Sequence, residues 1–116
     1  MIERYTRKEI RDIWEDYNRY SIWLNIELAA AEAMEKLNII PKGIVKKVRS
    51  KARINPKRIL QIENKVKHDI IAFLTSITEK AGKDARYLHK GMTSSDVLDT
   101  CFNLQLKQSG EILLKD

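Results

Sequence analysis

Between residues 17 and 37 apolar side chains recur at steps of three and four: Tyr17, Tyr20, Leu24, Leu28, Ala31, Met34 and Leu37. That spacing keeps one face of a helix toward a core and does not fit a strand, whose side chains alternate from face to face. Trp23, Ile26, Ala30 and Ala33 add a second stripe beside the first, so the helix is expected to be covered on more than one side, with Tyr17 and Tyr20 in the core. Upstream, Thr6 and Glu9 have the spacing of a capping box and open a helical pattern through Ile10, Ile13 and Trp14. A helix is therefore predicted from near residue 7, with the pattern ending near Asn38.

The rest of the chain repeats the theme. Pro41 followed by Ile44, Val45, Val48 and Ala52 predicts a short basic helix with the proline in its first turn. Asn55 before Pro56 is a side-chain cap followed by a residue whose missing N–H costs nothing there, and it opens a helix carrying Ile59, Leu60, Ile62 and Val66. Asp69, as cap or first-turn acid, starts another with Ile70, Phe73, Leu74 and Ile77 on its apolar face and Gly82 as its stop. Residues 83–92 read as a short irregular link. From Ser94 onward, Val97, Cys101, Leu104 and Ile112 form one stripe and Leu98, Phe102, Leu106 and Leu113 another. A helix apolar on two faces is normally enclosed by several partners, more than this chain supplies, and its pattern runs in register to the last residues. The expectation is an all-α chain that is the N-terminal piece of a longer helical polypeptide.

Composition narrows the chemistry. No window of the 116 residues approaches the ~18 uninterrupted apolar residues of a membrane span, and the charged N-terminus is no secretory signal, so a cytoplasmic protein is expected. One cysteine and two histidines give no internal disulfide and no zinc spacing. Metal-free acid/base work or binding remains. The net charge of +6 is concentrated in residues 46–58, "KKVRSKARINPKR", where seven bases stand with no acid. A polyanion could be drawn to that stretch, but no aromatic interleaves with the bases to stack on nucleobases, and a solvated helix face is the expected reading.

Both histidines, His68 and His89, fall just before predicted helix starts. A helix N-terminus offers unpaired N–H groups and partial positive charge, which favour carboxylate or phosphate. "TSSD", residues 93–96, fits a capping box of Thr93 and Asp96, yet its three adjacent hydroxyls exceed what a cap needs, and Gly91 lets the backbone approach a ligand. The stretch reads either as a capped helix start or as a grip on an oxyanion.

"HKGMTSSDVLDT", residues 89–100, resembles the first conserved block of the fumarase and aspartase superfamily, in the G-x-T-S-x-D-x-x-D-T form of its adenylosuccinate lyase branch. "RYTRKEIRDIW" and "KHDIIAF" resemble two further blocks of that branch, in the same order and at similar spacing, so the likeness covers essentially the whole chain. The carboxymuconate cycloisomerase branch shares the T-S-x-D pattern but fits the other two blocks less well. The resemblance implies an all-α fold with residues 1–93 as the N-terminal helical domain and residues 94–116 as the start of a long central-bundle helix. It implies a cofactor-free homotetramer of purine biosynthesis that eliminates fumarate from adenylosuccinate, giving AMP, and from the succinyl-carboxamide ribotide.

By similarity, Arg4 and Tyr5 would contact the nucleotide and Lys67, His68 and Asp69 would line the substrate pocket, Lys67 standing where arginine is common. His68 would assist proton transfer or hold a carboxylate, His89 would hydrogen-bond the substrate, and Thr93 and Ser94 would hold a succinyl carboxylate. Asp96 and Asp99 are expected to cap and orient. The family's base, a serine on a glycine-rich loop, and its principal acid, a histidine, would lie beyond residue 116 in sites built from three subunits, so this stretch alone is expected to be inactive. The competing expectation is a small basic helical module that binds nucleic acid or a protein partner.

Overall fold

The computed structural model describes residues 8–90 and 94–114. They form α1 (Lys8–Trp14), α2 (Asp16–Lys36), α3 (Ile44–Lys51), α4 (Pro56–Val66), α5 (Asp69–Ala81), a 3-10 segment (Gly82–Tyr87) and α6 (Ser94–Leu114). No strand occurs among the described residues, as the periodicity predicts. The cap proposed at Thr6 lies outside them.

The N-terminal helical pattern is broken at Glu15, where neither glycine nor proline stands. Glu15 is extended, with φ −68° and ψ 154°, and α2 restarts at Asp16. The bend lets Trp14 face α6, where its Nε1 donates to Ser109 Oγ at 2.9 Å and its ring meets Phe102 edge-on at 5.7 Å. It also turns Tyr17 outward: that side chain is 60% exposed, against 3% for Tyr20, so only Tyr20 is core. At the other end, Asn38 takes φ +59° while Ile39 N–H donates to Met34 O and Asn38 N–H to Glu35 O. That pattern closes the last carbonyls of α2 and leaves Leu37 exposed.

Packing centres on three rings. Trp23 meets Tyr20 at 5.1 Å and Phe73 at 5.4 Å, both edge-on, while Tyr20 and Phe73 stack at 6.0 Å, geometries that suit the ring quadrupoles. Arg19 lies over Tyr20 and Trp23 and donates to the Tyr20 hydroxyl, yet burial, the larger effect, raises that phenol above its ordinary pKa. Ile59, Ile62, Ile70, Ile77 and Val48 extend this core through α3, α4 and α5.

Two helix starts differ from the sequence reading. α3 begins at Ile44 behind Gly43 (φ +89°), leaving Pro41 outside it; Glu35 of α2 supplies the cap by accepting from Val45 N–H at 2.7 Å. Residues 83–87, part of the link expected to be irregular, wind with Gly82 as a 3-10 segment packed against α5 and α3. Asn55 caps α4 as expected, its Oδ1 accepting from Arg58 N–H at 3.2 Å, and Gly82 ends α5 with φ +78°.

α6 packs on α1 and α2 through Val97, Cys101 and Gln105, with Gln108 accepting from Asn18. Gln105, not Leu104, holds the third place on the inward stripe; Leu104 is 40% exposed. Phe102, Leu106 and Leu113 of the second stripe are exposed, which is why a helix apolar on two faces reads as awaiting more partners. The radius of gyration of 15.4 Å exceeds the roughly 13 Å of a compact chain this long.

Candidate substrate site

Of the residues expected in the site, Arg4, Tyr5 and Thr93 lie outside the described residues. Ser94 is the first residue of α6. The others fall into two groups.

The first group sits at the junction of α4 and α5. Lys67 closes α4 in the left-handed region (φ +57°), its N–H donating to Glu63 O at 2.7 Å. This lets two helices follow each other with only Lys67 and His68 between them. A non-glycine residue there costs about 1–2 kcal/mol relative to ordinary backbone, a cost borne where the geometry requires it. His68 is the N-cap of α5: its Nδ1 accepts from Ile71 N–H at 3.2 Å. Asp69 is thus the first-turn acid, with Oδ1 accepting from Ile70 N–H at 2.7 Å and lying 3.9 Å from His68 Nδ1. The cap bond requires a lone pair on Nδ1, so the ring proton resides on Nε2. His68 therefore offers an N–H donor beside a helix N-terminus, a combination suited to a carboxylate or phosphate.

The second group lies after the 3-10 segment. His89 also takes a left-handed backbone (φ +64°), and its Nδ1 lies 2.6 Å from Glu27 Oε1 on α2. Glu27 is fully buried, and its Oε2 has no hydrogen-bond partner among the described residues. His89 thus pairs with α2 and not with the group at His68. In both histidines Nδ1 is engaged by the fold, and Nε2 has no protein partner among the described residues.

Glu27 escaped the sequence reading. A signal was present: it stands four residues after Trp23 and four before Ala31, an acid on a stripe of core positions. The basic stretch, by contrast, is largely a solvated face. Arg58 makes a two-pronged bond to Glu79 (2.9 and 2.6 Å), and Arg53 holds the carbonyls of Ser50 and Ala52.

No protein-family model matches the chain. An adenylosuccinate lyase from Synechocystis sp. is 47% identical over 115 residues, 99% of this chain. The chain spans about a quarter of that relative's length, 27%. A crystal structure of a fumarate lyase from Mesorhizobium sp. BNC1 superposes with a TM-score of 0.79 at 24% identity, covering 89% of this chain and 25% of that one. The chain therefore has the helical fold found in a fumarate lyase, and over nearly its whole length its sequence is similar to the N-terminal portion of adenylosuccinate lyase.

Proposed function

We propose that this chain is the N-terminal part of an adenylosuccinate lyase, a cofactor-free enzyme eliminating fumarate from adenylosuccinate and from the succinyl-carboxamide ribotide. The observation that carries the reading is the 47% identity extending over 99% of the chain, with the hydroxyl-rich block and both histidines inside it. Residues 94–116 then begin the long central-bundle helix, and the exposed apolar residues of α6 would be covered in a cytoplasmic homotetramer.

The elimination removes a proton from the carbon next to a succinyl carboxylate and breaks the C–N bond, the electron pair leaving on nitrogen, which an acid protonates. Charge accumulates on the carboxylate as the proton leaves, so preorganised donors lower the barrier. His68 supplies one, its Nε2–H beside the start of α5, with Lys67 as a nearby point charge. This favours holding the carboxylate, of the two roles the resemblance allows His68. Thr93 and the Ser94 end of α6 supply further donors, His89 contacts the substrate through Nε2, and Arg4 and Tyr5 meet the nucleotide. The reading as a basic nucleic-acid module has less support, since Arg53 and Arg58 are engaged within the fold.

The test is product analysis. The intact gene product should convert adenylosuccinate to AMP and fumarate in equal amounts, whereas residues 1–116 expressed alone should release none. Turnover by residues 1–116 alone, or none by the intact product, would refute the assignment.

A further inference from the structure

We infer that Glu27 is a positioning residue for His89: the buried carboxylate on α2 fixes which ring nitrogen faces the ligand and how the ring is held. The inference rests on the lyase reading for the identity of that ligand. Its geometry stands on three observations. Glu27 is 0% exposed although it is an acid, on the face of α2 that also carries Trp23, Leu28 and Ala31. Its Oε1 lies 2.6 Å from His89 Nδ1, a short hydrogen bond between the two side chains. His89 is held in a left-handed backbone conformation, so the loop is shaped to bring this imidazole to α2.

With Glu27 as the acceptor of this bond, Nδ1 carries the ring proton. Nε2 is then left for the substrate, as a lone pair in the neutral ring and as an N–H donor in the imidazolium. This is the arrangement by which a buried acid behind a functional histidine sets its tautomer and orientation. His68 leaves its Nε2 available by another route, because a backbone N–H occupies its Nδ1. The two rings thereby differ in what holds Nδ1: a backbone N–H in His68 and the Glu27 carboxylate in His89.

A merely structural pair, pinning the loop to α2, would show the same bond, so the test must separate the two roles. In the intact gene product, steady-state fumarate release from adenylosuccinate is measured for wild type, E27Q, H89Q and the double variant, with circular dichroism confirming helix content. Glutamine conserves volume and hydrogen-bonding capacity but removes the charge that fixes the tautomer. E27Q should lower kcat/KM by about 10- to 100-fold, chiefly through KM. In the H89Q background the same change should alter kcat/KM less than about twofold, because Glu27 acts through His89. Wild-type kinetics in E27Q, or an equal loss in both backgrounds, would overturn the inference. Should E27Q fail to fold, E27D, which keeps the charge but withdraws the oxygen, enters the same cycle with the same criteria. A wild-type protein without turnover would instead strike the lyase reading itself, so the two failures are told apart.

Discussion

His68 carries a structural task and a proposed chemical one, and two substitutions separate them. Its Nδ1 caps α5 by accepting from Ile71 N–H at 3.2 Å, and the side chain is 42% exposed. Loss of an N-cap acceptor costs about 0.5–2 kcal/mol, and a long bond at a half-exposed ring belongs toward the lower end, about 0.5–1 kcal/mol. Such a loss corresponds to roughly two- to fivefold faster exchange of amides that open with the first turn of α5, Ile71 foremost. Asparagine ranks among the best N-caps, so H68N should hold exchange near the wild-type rate while H68A speeds it. The chemical task is different: a hydrogen bond to a charged group contributes about 1.5–3 kcal/mol, or roughly 10- to 150-fold in rate. Both variants should lose that much kcat/KM for adenylosuccinate, since neither keeps an imidazole Nε2–H. Hydrogen exchange followed by mass spectrometry, together with fumarate release, reads both quantities on the same protein. Full turnover in H68N would show that His68 is a cap and nothing more; unchanged exchange in H68A would show that the cap contributes nothing.

Three further outcomes follow from the packing and electrostatics. Phe73→Ala should destabilise the chain by about 3–5 kcal/mol in urea unfolding, because a fully buried ring between Trp23 and Tyr20 is lost; a change below 1 kcal/mol would contradict the three-ring core. Burial raises the Cys101 thiol above its ordinary pKa, so it should stay protonated and react with iodoacetamide at pH 8 far more slowly when folded than in denaturant; equal rates would place it at the surface. The Arg58 hydrogen bond lowers the Glu79 pKa, so the pair's contribution is present above the unfolded glutamate value near ~4.3 and lost as pH falls through the folded value. Both groups are exposed, so R58A should matter little at pH 7 and less in 1 M salt; a large salt-independent effect would be the opposite result.

The helices were legible because the residues that cap and stop them act locally. Asn55 and Gly82 announce their positions through side-chain acceptor and backbone freedom, and both behave so. What was not legible depends on distant partners. Glu15 breaks the first helical pattern because Trp14 is drawn to Ser109 and Phe102, ninety residues away in sequence, and nothing local marks the bend. Likewise α3 starts after Gly43 because Glu35 reaches across to cap it. For the site, the sequence marked His68 and His89 as residues at helix starts but assigned them no difference in partner. That difference comes from what occupies each Nδ1, a backbone N–H in one case and Glu27 in the other, which only the fold brings into place.

The most direct test of the central claim is hydrogen exchange of the intact gene product with and without adenylosuccinate, under conditions where the enzyme is saturated but inactive, for instance in an inactive variant of the downstream base. If this chain contributes the two groups built here, both the α4–α5 junction around His68 and the segment from Leu88 into the start of α6 should be protected by the ligand. Protection of neither, with the ligand demonstrably bound, would contradict the account.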